Sequence, residues 1–244
     1  MSGGAPKTAM VLAAGRGTRM RPITNRKPKP LVSVAGHKLI DYTLDRFAAA
    51  GVERAIVNVH YLADQVEEHV KERAAPEIII SDERAALLET GGGMKAALPL
   101  LGDAPFYCSN TDAILFDADD EEACARLAAD WRADDMDALL LLAPIEETSG
   151  YDGAGDFHHS DDGAIAFRDG ARAPYVFTGL QIISPALVAE GPEGAFSTKI
   201  LWEKALARGR LFGAVHSGFW MHVGDPEGLK RAEKLMDWRR ERKK

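Results

Sequence analysis

Cysteine and long apolar runs are scarce in this sequence. Its 244 residues contain two cysteines, Cys108 and Cys124, without the close spacing of a metal-binding or redox pair, so we expect two buried, reduced thiols. No run of about 18 apolar residues, the length a membrane helix needs, is present. No apolar signal segment follows Met1. These absences predict a cytoplasmic protein without a membrane partner.

Basic residues are also fewer than acidic ones. Lysine and arginine total 30 against 37 acidic residues, which gives a net charge of −7 and argues against nucleic acid as a partner. The exception is one short segment in which cations concentrate: Arg16, Arg19, Arg21, Arg26, Lys27 and Lys29. A basic segment on an acidic protein suits a small anionic ligand better than a polymer.

Short apolar runs alternate with amphipathic helical patterns through the first part of the chain. Residues 9–12, 54–59 and 77–81 have the composition of buried strands. This rhythm predicts an α/β fold with a Rossmann-like, mostly parallel sheet flanked by helices. Residues 144–175 are rich in glycine, aspartate and proline and predict a small antiparallel lobe. We expect one domain, 1–244, with halves 8–143 and 144–244, and an unspecified oligomeric state.

The segment after the first predicted strand has the composition of a phosphate-binding loop. Gly15 and Gly17 allow close approach of a ligand and leave backbone N–H groups free, and successive free N–H groups form an anion-binding concavity. Arginine fits phosphate oxygens two at a time. The P-loop pattern is absent, and Met20 stands at the third glycine position of a dinucleotide-binding fingerprint. The loop therefore predicts a polyphosphate site of another kind.

The order of residues in this segment resembles a known signature. Residues 12–24 read LAAGRGTRMRPIT and residues 28–31 read PKPL, as in the sugar-1-phosphate nucleotidylyltransferases. Further stretches resemble other motifs of the same family: LLETGGG at 87–93, NTD at 110–112, FTGL at 177–180 and WMHVGDPE at 220–227. The turn 89–93 is most similar to that of uridylyltransferases that act on N-acetylmuramate 1-phosphate in cell-wall recycling.

The resemblance implies transfer of a nucleotidyl group from a nucleoside triphosphate, UTP in preference to GTP, to a sugar 1-phosphate, with release of pyrophosphate. It implies a nucleotide-binding first half, a sugar-phosphate-binding second half and catalytic roles for Arg19, Lys29 and Asp112. The implied nucleotide-binding set is Leu12, Ala13, Ala14, Gly15, Arg16, Gly17, Thr18, Arg19, Lys29, Glu89, Thr90, Gly91, Gly92 and Asn110. Asp156, Thr178 and Gly179 are the candidates for contact with the sugar.

A divalent metal ion is the expected cofactor. Asp112 at a strand end beside a phosphate loop suits Mg²⁺, which takes one or two carboxylates together with substrate phosphates. Where the family pattern has a second metal-binding aspartate, this sequence has His222, and imidazole is a poorer ligand for Mg²⁺. Asp225 or water could then complete the site, or Mn²⁺ could serve instead. A structural role for His222 is an equal alternative.

Two other functions remain open from the sequence. A guanylyltransferase that acts on mannose or heptose 1-phosphate shares every phosphate-binding feature and differs only in the base and sugar pockets. A nucleotide-sensing domain that binds without turnover is supported only by the departure at His222. Pyrophosphate release with UTP and a panel of sugar phosphates would separate these alternatives.

Overall fold

A computed structural model describes residues 4–118 and 122–242 of the chain. The strands are β1 (Thr8–Leu12), β2 (Ser33–Val34), β3 (His37–Lys38), β4 (Arg54–Val59), β5 (Glu77–Asp82), β6 (Phe106–Asn110), β7 (Ala113–Phe116), β8 (Ala138–Pro144), β9 (Thr148–Ser149), β10 (Phe157–His159), β11 (Ile165–Phe167), β12 (Tyr175–Ile183), β13 (Leu211–Val215) and β14 (Phe219–His222). The α-helices are α1 (Leu39–Ala49), α2 (Ala63–Val70), α3 (Glu89–Leu101), α4 (Ala123–Asp130), α5 (Pro185–Ala189), α6 (Lys199–Ala207) and α7 (Pro226–Arg242).

Nine of these strands form one central sheet. Its order is β11-β10-β12-β6-β1-β4-β5, with β8 beside β12 and β13 beside β8. The pairs of β1 with β4, β1 with β6, β4 with β5 and β8 with β13 are parallel. Strand β12 runs antiparallel to both β6 and β8. The predicted α/β fold with a mostly parallel sheet is therefore confirmed.

Helices cover both faces of the central sheet, which explains why most residues of its inner strands are apolar. Successive residues of β1 belong to different cores: Met10 packs in the cluster that contains Met94 of α3, and Val11 packs in the cluster that contains Phe47 of α1. Side chains alternate across a strand, so a strand buried on both faces needs apolar residues at every position. Both cysteines are free and buried, as expected.

The small antiparallel part of the fold is present, but its strands do not all come from residues 144–175. Strands β10 and β11 form the hairpin expected within 144–175, but β10 pairs with β12 and so extends the edge of the central sheet. The small separate sheet has the order β7-β14-β9. Strand β7 lies before residue 143, and β12 from after it lies between β6 and β8. Strands from the two predicted halves therefore interleave in one sheet, and the cluster that contains Val11 also contains Leu180 and Ala214.

Helix α4 is short and is followed by a buried aromatic residue. It covers Ala123–Asp130. Trp131 follows the helix and is buried. Within the described parts of the chain, no helix combines the length and the apolar character that crossing a membrane requires.

Candidate active site

A cavity of about 470 Å³ opens at the carboxyl ends of β1, β4 and β6. Ligands of open α/β sheets bind at this edge. The lining combines the loop after β1, the start of α3, the end of β6 and two contributions from later in the chain: Leu12, Ala13, Ala14, Gly15, Gly17, Thr18, Arg19, Lys29, Pro30, Asn58, Leu87, Glu89, Thr90, Asn110, Thr111, Asp112, Ser197 and Gly224.

The loop after β1 has backbone amides without a partner among the described residues, and it contributes Gly15, Gly17, Thr18 and Arg19 to the cavity lining. In the described part of the chain, the backbone N–H groups of residues 15–19 donate no hydrogen bond. Gly17 has φ +58°, and a Cβ added there would lie 2.9 Å from Cβ of Lys29. The glycine therefore allows both the left-handed backbone and the approach of Lys29. Five successive amides without a partner in the described chain, next to Arg19 and Lys29, are what an anion-binding concavity requires.

Lys29, Asp112 and His222 meet at one end of the cavity. Nζ of Lys29 lies 2.7 Å from Oδ2 of Asp112, and both side chains are largely buried. Burial by itself would raise the pKa of Asp112, but the Lys29 ammonium and His222 outweigh it and hold this pKa below its usual range. Asp112 is therefore an ionised carboxylate beside the phosphate loop.

His222 is held tightly beside Asp112. Its ring stacks on Trp220, with centroids 5.7 Å apart, and a Cβ added at Gly224 would lie 2.4 Å from its Cε1 atom. Nδ1 lies 3.3 Å from the carbonyl oxygen of Gly150, and Nε2 lies 3.4 Å from Oδ2 of Asp112. Nε2 is therefore the ring nitrogen that faces Asp112, the candidate metal ligand.

Asp225, the other candidate for the second metal ligand, has a different role in the structure. Its Oδ1 atom accepts a hydrogen bond of 2.7 Å from the N–H of Gly228, three residues on. Helix α7 begins at Pro226, so Asp225 is its N-cap, and this hydrogen bond lowers its pKa. Asp225 does not line the cavity. The cap geometry could have been predicted, because proline at the first helical position follows an aspartate.

The donors around Asp112 suit a metal ion that is partly held by substrate. Among the described residues, no group of three or more His, Cys, Asp or Glu side chains could hold a metal. Both side-chain contacts of Asp112 fall on Oδ2, and the described residues provide no hydrogen bond to Oδ1. A single available carboxylate next to a phosphate loop fits Mg²⁺, which is commonly bound by one carboxylate with substrate phosphates.

The glycines at 91–93 are packing positions in the first turns of α3. Gly91 and Gly92 belong to the nucleotide-binding set that the resemblance implies, but the amides of both donate to the carbonyl oxygen of Phe196. Added Cβ atoms would lie 2.4 Å from the Phe196 ring at Gly91 and 2.3 Å from the carbonyl oxygen of Gly194 at Gly92. Leu87, Glu89 and Thr90 are the residues of this stretch that line the cavity.

Sequence reasoning missed Asn58, which ends the apolar core of β4 and lines the cavity. Its Oδ1 atom accepts hydrogen bonds from the N–H groups of Ala13 at 2.7 Å and Ala14 at 3.3 Å. These two amides are therefore occupied and not available to a ligand. A polar residue in an otherwise apolar strand was the signal that could have identified it.

The three candidates for sugar contact have internal partners. The Asp156 carboxylate accepts hydrogen bonds from the N–H of Phe177 and the hydroxyl of Tyr151. Thr178 is buried, and its hydroxyl donates to the carbonyl oxygen of Leu141, so the expectation that this side chain faces a sugar is not met. Gly179 has φ +96° and lies against Asn110. None of the three lines the described cavity.

Comparisons with known proteins point in the same direction as the geometry. A model of the nucleotidyl transferase family matches residues 8–164. The N-acetylmuramate alpha-1-phosphate uridylyltransferase of Caulobacter vibrioides is 50% identical over 94% of this chain and 96% of its own length. The protein of the same name from Neisseria meningitidis serogroup B is 34% identical over 93% and 97%. Among solved structures, the inositol-1-phosphate CTP transferase from T. maritima superposes with a TM-score of 0.78 over 96% of each chain, at 20% identity.

Proposed function

Because this chain belongs to the nucleotidyl transferase family, we propose that it transfers the uridylyl group of UTP to N-acetylmuramate 1-phosphate. The observation that carries the proposal is 50% identity, over almost the whole of both chains, to a protein named for this activity. The cavity supports it by placing a phosphate-binding loop beside an ionised carboxylate and a lysine. The products are a UDP-sugar and pyrophosphate, which fits a role in peptidoglycan recycling.

The proposed reaction depends on the alignment of the two substrates more than on proton transfer by the protein. A sugar phosphate has a second pKa of about 6, so near neutral pH one of its oxygens attacks the α-phosphorus without a general base. The new P–O bond forms as the bond between the α-phosphorus and the oxygen that bridges to the β-phosphate breaks. The free amides of residues 15–19 and Arg19 hold the leaving pyrophosphate, and Lys29 neutralises the α-phosphate.

A divalent metal ion is part of the proposal, because enzymes of this family generally use one. Bound by Asp112 and substrate phosphates, Mg²⁺ would supply charge neutralisation between the two anionic substrates. Asp112 is suited to this because its carboxylate is ionised and its Oδ1 atom is not used by a described residue. Lys29 shares the same carboxylate, so its ammonium is fixed beside the place where the phosphates must lie.

We predict that UTP is preferred over GTP. With N-acetylmuramate 1-phosphate as acceptor, kcat/KM for UTP should exceed that for GTP by about tenfold or more, which corresponds to about 1.4 kcal/mol of differential transition-state binding. Pyrophosphate release measures both nucleotides, and mannose 1-phosphate serves as the comparison acceptor. Equal or higher kcat/KM with GTP and mannose 1-phosphate would establish the guanylyltransferase alternative. Nucleotide binding without pyrophosphate release from any pair would establish the binding domain.

A second prediction concerns the metal site. His222→Asp should tighten Mg²⁺ binding by about tenfold, because a second carboxylate beside Asp112 adds the charge that a hard cation favours. Asp225→Asn should leave Mg²⁺ affinity and stability nearly unchanged, since asparagine caps a helix as well as aspartate does. Titration of Mg²⁺ in the presence of UTP measures both variants. Loss of affinity confined to Asp225→Asn would show that Asp225, and not His222, lies at the metal.

A further inference from the structure

Glu83 is a buried carboxylate to which the proposed mechanism gives no role. It is 2% exposed, it follows β5, and the described residues provide it with no salt bridge. Its Oε1 atom accepts a hydrogen bond of 2.7 Å from Nδ2 of Asn58, and Oε2 accepts one of 3.3 Å from the N–H of Leu88. Burial raises the pKa of Glu83, and these two bonds oppose that effect. Burial of a carboxylate is unfavourable in free energy unless its oxygens accept hydrogen bonds. Loss of either of these two bonds should therefore be destabilising.

Asn58 links Glu83 by hydrogen bonds to the start of the loop after β1. Its amide nitrogen donates to Glu83, so its Oδ1 atom must face the other way, where it accepts from Ala13 and Ala14. Leu88, on the other side of Glu83, immediately precedes Glu89 at the start of α3. The Glu83 carboxylate is therefore hydrogen-bonded to the start of α3 directly, and to the Ala13–Ala14 segment through Asn58.

The third glycine of the 91–93 run leaves room for this pair. A Cβ added at Gly93 would lie 2.7 Å from Nδ2 of Asn58 and 2.7 Å from Oε1 of Glu83. Contacts this short exclude any larger residue unless the pair separates. Glu83, Asn58 and Gly93 therefore form one packed unit, of which Asn58 lines the cavity, although they come from three separate parts of the sequence.

We propose that Glu83 is a positioning residue for the nucleotide. It fixes the amide orientation of Asn58, and Asn58 in turn fixes the Ala13–Ala14 segment against the start of α3. This inference rests on the proposed nucleotidyl transfer, because it assumes that the cavity takes a nucleoside triphosphate. Glu83 lies away from the reacting phosphates, so its loss should weaken nucleotide binding in the ground state and transition state alike. KM for UTP should then rise more than kcat falls.

The pair is tested directly by variants that move the carboxylate to position 58 and the amide to position 83. Asn58→Asp places a carboxylate against the carboxylate of Glu83, and we expect KM for UTP to rise by about tenfold or more, as uncompensated buried charges are strongly unfavourable. When Glu83→Gln is added, the glutamine amide can donate a hydrogen bond to the new carboxylate at position 58. The other oxygen of that carboxylate can still accept from the N–H groups of Ala13 and Ala14. The double variant should return to within about threefold of the wild-type KM, since contacting residues couple strongly. Asn25→Asp with Glu53→Gln, both at exposed positions, is the matched control.

Two binding measurements separate this inference from the proposed function. Calorimetric affinity for UTP without acceptor, and hydrogen exchange at the Ala13 and Ala14 amides, do not require turnover. If Asn58→Asp does not fold, Glu83→Gln carries the test: faster exchange at Ala13 and Ala14 with weaker UTP binding supports the proposal. Unchanged exchange and affinity in Glu83→Gln would overturn it. A double variant no better than Asn58→Asp would do the same, whether or not the wild-type protein transfers uridylyl groups.

Discussion

Lys29→Ala is expected to lower kcat by about 10²–10³-fold, the usual loss when one preorganised charge contact is removed from an active site. The Lys29 ammonium lies 2.7 Å from Asp112, so its position is fixed before substrate arrives. Alanine keeps the Cβ atom that packs against Gly17, and the loop should therefore retain its shape. Arg19→Ala should cause a loss of the same order, since Arg19 lines the cavity from the same loop and is the proposed contact to the pyrophosphate. Initial rates at saturating substrate measure both effects.

Controls for these variants come from the same segment. Lys27 and Arg26 are exposed and do not line the cavity, so Lys27→Ala and Arg26→Ala remove the same charges without removing a contact to substrate. Thermal unfolding should show that all four variants are folded. If kcat stays near the wild-type value for both Lys29→Ala and Arg19→Ala, the assignment of the phosphate contacts to these two residues is wrong.

Sequence analysis was most successful where function depends on local backbone. The loop after β1 could be predicted because its glycines, its cations and the preceding strand are contiguous, and free amides follow from that local geometry. The alternation of apolar strands with amphipathic helices likewise predicted the parallel sheet, because the apolar pattern of each segment shows which of its faces is buried. The family resemblance added the reaction class, which no local pattern could supply.

Contacts between distant segments could not be predicted in this way. The amides of Gly91 and Gly92 are occupied by the carbonyl oxygen of Phe196, which is more than a hundred residues away in the sequence. Glu83 and Asn58 are neighbours only because β4 and β5 pair in parallel, so their ends meet at one edge of the sheet. Thr178 was a candidate for contact with the sugar, but the direction in which its side chain points depends on the pairing of its strand with β8.

Asp112→Asn is expected to lower kcat with Mg²⁺ by about 10³-fold or more, because an amide lacks the charge that a hard cation requires. Excess EDTA should abolish wild-type activity, and added Mg²⁺ should restore it. Since Asp112 also holds Lys29, the rate alone cannot distinguish loss of the metal from displacement of the lysine. Affinity for Mg²⁺ in the presence of UTP makes that distinction. It should fall in Asp112→Asn and remain nearly unchanged in Lys29→Ala.

A matched carboxylate shows whether loss of any buried ion pair has the same effect. Asp137 pairs with Arg210 at 2.7 Å, is buried to a similar degree and does not line the cavity. Asp137→Asn should therefore reduce stability without changing Mg²⁺ affinity, because it breaks an ion pair at a distance from the phosphates. Full activity of the wild-type enzyme in excess EDTA would contradict the role of the metal. In that case the charge of Asp112 would act only through Lys29, and Asp112→Asn and Lys29→Ala would show similar losses of rate.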